Sequence, residues 1–276
     1  MLEQHSFQPY PRTRFESRDR KKPAVSAQHA PRQNRLLAAL PREDYERLLP
    51  HLEPAPLPLG GVVYGAGDRQ KYLYFLIAGI VSKRYVTANG ASTQCAVTGS
   101  EGVIDVSLFL GGENTPCQTV VLSAGYAYRL EANLLKNEFE HGVALSHLLL
   151  RYTQALITQT AQTAVCNRHH SVEQQLCRWI LSCLDRLPSN ELAMTQERIA
   201  TILGVRRESV AEAAGALQRA GLIHYSRGHI VVLDRPRLEA RVCECYAVVK
   251  REYDRLLPKY RQAEDAYKDA ARCQAC

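Results

Sequence analysis

The side chains in this 276-residue chain best suited to recognition chemistry are Arg206, Arg207, Glu208 and Ser209, with Glu212 one turn further on. Arginine can donate two hydrogen bonds to guanine O6 and N7, and glutamate can accept one from cytosine N4. Set on one helical face, this run has the makings of a base-reading edge. Cysteine is the second chemical resource. Of nine cysteines, four form the close pairs Cys243-x-Cys245 and Cys273-x-x-Cys276, and two close thiols are half a metal site. A continuous helical run from Arg237 to Leu257 would send Cys243 and Cys245 to different faces, so all four are expected to be structural or incidental thiols, with no metal. His169-His170 is expected to be a polar hinge. Gly60-Gly61 and Gly65-x-Gly67 lack the Gly-Lys-Ser/Thr and helix of a phosphate loop and read as strand turns. No catalytic constellation accompanies these groups, so neither enzymatic activity nor a cofactor is expected.

The elements around Arg206–Glu212 are those a DNA reader needs. Thr195 caps a short amphipathic helix beginning at Gln196, Gly204-Val205 supplies a tight turn, and a second helix from Arg206 to Ala220 buries Val210, Ala213, Ala214 and Leu217. Two apolar runs, 222–225 and 229–233, flank Ser226-Arg227-Gly228 as a hairpin wing. Helix, turn, helix and wing within about forty residues form a winged helix-turn-helix, whose second helix can enter the major groove. The residues expected at the DNA are Thr195, Gln196, Arg206, Arg207, Glu208, Ser209, Glu212, Arg227 and His229.

Upstream, the texture changes twice. Residues 1–33 form a basic leader without apolar period. From Arg12 to Arg35, eight Arg and Lys side chains face only Glu3, Glu16 and Asp19, and the leader is expected to be disordered. Short apolar runs broken by glycine fill Leu57 to Leu130, the pattern of an antiparallel β sandwich or barrel. From Val143 to Ser171 neither Gly nor Pro interrupts a long helix. Its Leu145, Leu149, Tyr152 and Leu156 step by four, three and four, which fits either a half-exposed core helix or a two-fold seam. Ser171-Val172-Glu173-Gln174 is a capping box, and the helix after Pro236 is expected to pack back on the winged domain. No apolar run reaches about eighteen residues, which excludes a membrane-spanning helix. The start of the chain has no signal-peptide pattern, so a cytoplasmic location is expected. The net charge of +7 suits a polyanionic partner, but most of it sits in the basic leader, which weakens that inference.

These residues resemble the catabolite-activator/FNR (CRP/FNR) family of bacterial regulators. The resemblance runs from about Leu36 to Leu233. It is carried by Thr195 to Ala200, Gly204, Arg207-Glu208-Ser209-Val210 and Gly221-Leu222-Ile223, and in the β region by Tyr64 to Gly67 and Tyr72 to Val81. It implies an α+β chain with a disordered leader (1–33), a cyclic-nucleotide-binding-like β-roll (34–140), a dimerisation helix (141–167), a winged helix-turn-helix (168–234) and a C-terminal helical extension (235–276). It also implies a homodimer seamed on Leu145, Leu149, Tyr152 and Leu156, which acts on a near-palindromic double-stranded site and on RNA polymerase. Base reading falls on Arg207 and Glu208. Arg206 stands where a small capping residue is usual, so a phosphate contact is expected there, and Glu212 replaces an arginine of several members. In the effector pocket, Ile104-Asp105 and Thr115-Pro116 replace the Gly-Glu and Arg-Ser pairs that grip cyclic AMP. Without the arginine a buried phosphate loses its charge partner, so cyclic AMP is not expected to bind. Asp105, Thr115 and Thr163 remain as the pocket of an unknown small-molecule effector. Two alternatives stay open: a thiol- or metal-responsive regulator of the same fold using Cys166, Cys243 or the terminal Cys273/Cys276 pair, and a cyclic-nucleotide-binding regulatory subunit.

Overall fold

The computed structural model describes residues 30–257. Most of the basic leader and the Cys273/Cys276 pair lie outside them. The last leader residues, Pro31–Gln33, form a 3₁₀ turn with Pro31 buried, which corrects the expectation of disorder at that end.

Asn34 then does two jobs. Its Oδ1 accepts from Leu36 and Leu37 N–H at 3.0 and 3.2 Å, capping helix α1 (Arg35–Ala38), while its amide donates to Leu76 and Gly102 carbonyls. Helix α2 (Arg42–Leu48) follows. The β region comprises β1 (Glu53–Leu57), β2 (Val62–Tyr64), β3 (Tyr72–Val86), β4 (Ser92–Thr98), β5 (Val103–Ile104) and β6 (Gln118–Glu131). They form one antiparallel sheet ordered β1-β6-β3-β4, with β2 on β6 and β5 on β3. Two glycines bend it. A Cβ at Gly125 would sit 2.0 Å from the Ala78 carbonyl, and Gly79 has φ +88° with the Ser123 carbonyl 2.6 Å from a Cβ there. Register shifts flank this point in the β3–β6 pair, so the two long strands coil into a roll. Strand β1 was invisible to pattern reading because Pro54 and Pro56 interrupt it. It is an edge strand, where proline is tolerated.

Helices α3 (Ala132–His141) and α4 (Val143–His169) close the roll, and the latter is the long helix expected. The chain turns at His170 into α5 (Val172–Leu184), whose start shows both bonds of the Ser171–Gln174 capping box. The winged part follows: β7 (Glu191–Ala193), α6 (Gln196–Leu203), α7 (Arg207–Arg219), β8 (Ile223–Ser226) and β9 (His229–Val232). The wing is three-stranded, β7-β9-β8, one strand more than the sequence pattern shows.

The C-terminal extension differs from expectation. It is two helices, α8 (Arg235–Arg241) and α9 (Glu244–Leu256), broken at Val242-Cys243, where both residues are extended. Cys243 and Cys245 are consequently both buried, in one cluster with Cys166, rather than on opposite faces. Tyr246 packs in the winged-domain core. Tyr253, Leu256 and Leu257 instead enter the core shared by the roll and α4, so the extension straps the two halves together. No helix among the described residues is long and apolar enough to cross a membrane.

Candidate nucleic-acid interface

Local physics builds the reading head. The Thr195 hydroxyl accepts from Arg198 N–H at 3.3 Å, capping α6. Gly204 ends that helix at φ +69°, a left-handed conformation that favours glycine. A Cβ there would also fall 2.7 Å from Thr93 Oγ1 of β4, so the turn rests directly on the roll. Val210, Ala213, Ala214 and Leu217 bury one face of α7 in the core that holds Ile199, Ile202 and Leu203. The other face carries Arg206, Arg207, Glu208 and Glu212, all exposed, with Ser209 half-buried. Arg206 stands at the N-cap without a side-chain cap bond. None of these four charged side chains has a hydrogen bond or ion pair among the described residues. Glu208 and Glu212 are like charges one turn apart, so the face is not a self-neutralised surface. Its donors and acceptors stay available.

The wing sits beside this face. Ser226 pairs with His229, and the two residues between them, Arg227 (φ +48°) and Gly228 (φ +79°), form a tight turn with both φ positive. A non-glycine residue there is uncommon; it sets the exposed Arg227 at the wing tip. A Cβ at Gly228 would lie 3.3 Å from the Thr195 methyl, and Met194 N–H donates to the Gly228 carbonyl at 2.7 Å. Thr195, Arg227 and His229 are exposed and Gln196 half-buried, so the structure gathers these residues near the wing turn.

Two of the residues expected to line an effector pocket meet at a lysine that sequence reasoning missed. Lys83 Nζ lies 3.2 Å from Asp105 Oδ1. That oxygen also accepts from Ser107 N–H and Oγ–H at 3.1 and 2.8 Å. Burial would push the Asp105 carboxyl up, but the Lys83 ammonium and the hydroxyls of Thr115 and Ser107 outweigh it and hold the pKa below the usual value. Asp105 takes φ +61°, strained for a non-glycine residue. Thr115 is fully buried, its hydroxyl 3.0 Å from Cys117 Sγ. Thr163 does not belong here: its hydroxyl donates to the Gln159 carbonyl and accepts from Arg178 at 3.3 Å. Of the three residues expected to line a pocket, Asp105 and Thr115 thus lie together with Lys83, while Thr163 sits with Gln159 and Arg178.

Comparison with known proteins supplies the deciding observation. Residues 174–241 match the family described as the Crp-like helix-turn-helix domain. A curated relative, the CRP-like cAMP-activated global transcriptional regulator of Mycobacterium tuberculosis, is 23% identical over 202 residues, covering 70% of this chain and 90% of that protein. Residues 174–241 carry the helix-turn-helix of Crp-like regulators, and most of the chain is similar to a CRP/FNR-type transcription regulator. Solved structures agree on the fold. FixK2 from Bradyrhizobium japonicum aligns with a TM-score of 0.60 at 16% identity, covering 70% of this chain and 98% of that one. A putative crp/fnr-family regulator from Eubacterium rectale gives 0.61 at 17% identity, covering 75% and 96%. The c-di-GMP-responsive regulator CLP of Xanthomonas campestris gives 0.57 at 19%, covering 70% and 100%.

The regulator's long helix requires a second correction. Leu145, Leu149, Tyr152 and Leu156 are buried within the chain's own core. Tyr152 is 0% exposed, its hydroxyl donating to the Val103 carbonyl at 3.1 Å and lying 3.0 Å from Thr98 Oγ1. These side chains cannot face a partner. The same helix carries a second stripe with the same four-three spacing: Val143, His147, Leu150, Gln154, Ile157, Ala161 and Ala164, each exposed. Val143, Leu150 and Ile157 are 68%, 46% and 57% exposed. One helix thus holds two heptad stripes, one turned inward and one outward.

Proposed function

We propose that this CRP/FNR regulator reads double-stranded DNA with α7 and the wing, as a homodimer on a near-palindromic site, without answering to cyclic AMP. The observation that carries the reading is the uncommitted face of α7. Arg206, Arg207, Glu208 and Glu212 are exposed and, among the described residues, unpaired on the outer face of α7, braced from behind by four buried apolar residues of the same helix. Arg207 and Glu208 have the chemistry to read base edges. Phosphate contacts, which position a protein without reading sequence, are assigned to Arg206, Thr195, Gln196, Ser209, Arg227 and His229. Glu212 accepts but does not donate, so it favours a cytosine amino group over guanine.

Dimerisation is assigned to the outward stripe of α4. Burying Leu150 and Ile157 against their symmetry mates removes apolar surface from water, and the polar His147 and Gln154 between them would fix register, as polar seam residues do. Two heads related by a two-fold axis then match a site with inverted half-sites.

The pocket supports a regulator that ignores cyclic AMP. The Asp105 carboxylate is already committed to Lys83 and Ser107, and no arginine occupies the place of Thr115-Pro116. The relatives' names cover both a cAMP-activated and a c-di-GMP-responsive protein, so the fold itself does not select the effector. Transcriptional output would pass through RNA polymerase at the bound promoter.

The test is selection of bound duplexes from a random pool, with and without cyclic AMP. The reading requires enrichment of a site with inverted repeats in both arms. A site that appears only with cyclic AMP overturns the pocket argument, and salt-sensitive binding without sequence preference overturns the reading head.

A further inference from the structure

At the hinge where α4 ends, four side chains converge that no part of the DNA-reading account uses. Cys166 and His170 come from the end of α4, and Cys243 and Cys245 from the break between α8 and α9. Their ligand atoms, one per residue, all lie within 4.8 Å of one another. Cys166 Sγ is 3.6 Å from Cys243 Sγ, and Cys245 Sγ is 3.6 Å from His170 Nδ1. A tetrahedral zinc ion with Zn–S of about 2.3 Å and Zn–N of about 2.0 Å puts ligand atoms about 3.5–3.8 Å apart along its edges. Two of the edges are already at that length.

The surroundings fit a metal as well as the ligands do. His170 turns Nδ1 toward the thiols while its Nε2 lies 3.3 Å from the Glu244 carboxylate, the outer partner that fixes tautomer and ring orientation in metal-binding histidines. The His170 carbonyl accepts from the Gln175 amide at 2.9 Å, which pins the backbone of the hinge. Arg178 is buried, and its hydrogen bonds go to Cys166 Sγ at 3.1 Å and the Thr163 hydroxyl. Among the described residues no carboxylate pairs with it, and a buried guanidinium facing neutral thiols is costly. Three thiolates around a divalent ion carry a net charge of −1, which the +1 of Arg178 balances. Cys243 and Cys245 also stand at the N-terminal end of the 13-residue helix α9, where the helix dipole favours negative charge.

We propose that Cys166, His170, Cys243 and Cys245 form a closed four-coordinate site for a zinc-class divalent cation, which staples the end of α4 to the C-terminal extension beside the hinge of the reading head. On binding, three S–H protons leave to solvent and the metal takes their place, with no change of oxidation state. The site stands independently of DNA reading.

The test uses the reduced, chelator-stripped full-length chain, titrated with Zn²⁺ and, as a spectroscopic probe, with Co²⁺. The expected result is one ion per chain, thiolate-to-cobalt charge transfer with the intense visible bands of a tetrahedral centre, and a zinc X-ray absorption spectrum of three sulfurs and one nitrogen. Zinc should raise the melting temperature of the wild-type chain. Cys166→Ser, Cys243→Ser and Cys245→Ser should each weaken binding more than about a hundred-fold, beyond the usual loss from outer-partner changes, and Glu244→Gln about tenfold. Cys177→Ser and the double change Cys273→Ser/Cys276→Ser should leave stoichiometry and spectrum unchanged. Because absorption is read on the wild-type chain, a variant that misfolds does not decide the matter. No stoichiometric binding, a sulfur count below three, or a Cys166–Cys243 disulfide in protein purified without oxidant would overturn the proposal.

Discussion

Arg186 Nε lies 2.7 Å from Glu101 Oε1, with both side chains largely withdrawn from solvent. The pair joins the turn after α5, which leads into the reading head, to the turn between β4 and β5 of the roll. The guanidinium also lies over the Tyr253 ring of α9 at 5.8 Å, so three parts of the chain meet at one cation. Glu101→Gln should destabilise the fold by about 3 kcal/mol, because it leaves a buried charge without its counter-ion. Replacing both residues by apolar ones should cost much less. Urea unfolding of the two single variants and the double variant measures the difference; equal losses in all three would remove this ion pair from the account.

The Lys83–Asp105 pair gives a pH-dependent prediction. The Asp105 pKa is lowered in the folded chain, so its contribution is present above the unfolded value and is lost as pH falls through the folded one. The Lys83 pKa is raised: burial alone would lower it, but Asp105, Cys117 and Cys95 outweigh burial. That contribution is present below the unfolded value and is lost as pH rises through the folded one. Lys83→Met should cost about 3 kcal/mol near neutral pH, and that loss should shrink as pH falls below the ordinary carboxylate range and through the lowered folded-state value of Asp105. Stability of wild type and variant, compared across pH, checks it. A fluorescent cyclic AMP analogue should show no saturable binding to the wild-type chain.

The two stripes of α4 make opposite predictions. Leu150→Glu and Ile157→Glu should yield folded monomers, seen by sedimentation equilibrium, with an unchanged circular dichroism spectrum. Leu149→Ala, in the inward stripe, should instead cost about 2–5 kcal/mol of stability. A dimer that survives both glutamate substitutions would place the seam elsewhere.

The contrast between those stripes shows where sequence reading reaches its limit. Helix α4, its length and its four-three periodicity were legible, because no breaker interrupts it. Which of two equivalent stripes faces the core was not, since both obey the same period and only the packing of the roll chooses between them. The reading head was legible in detail, from the Thr195 cap, the left-handed Gly204 and the wing turn, because each is a local device with its own residue signature. Lys83 and the convergence of Cys166, His170, Cys243 and Cys245 were not. Lys83 meets Asp105 only through the register of the roll. The two cysteines of the extension share a side only because the helix breaks at Val242-Cys243, where neither Gly nor Pro marks it. Strand β1 was hidden by prolines that only an edge position tolerates.

Arg227 should act on affinity rather than on sequence choice. If the wing tip touches phosphate, Arg227→Ala should reduce the slope of log affinity against log salt by about one and weaken all duplexes evenly. Titrations at several salt concentrations, on the selected site and on an unrelated duplex, read both quantities. A loss confined to the selected site would make Arg227 a base contact.

The central claim, that Arg207 reads a base, is tested most directly by a double-mutant cycle across the interface. Wild type and Arg207→Ala are each titrated on the selected duplex and on duplexes changed one base pair at a time within the half-site. The account predicts that Arg207→Ala costs about 1–3 kcal/mol on the selected site and removes the preference at a single guanine position, leaving the others intact. An even loss at every position would assign Arg207 to the phosphate backbone and contradict the account.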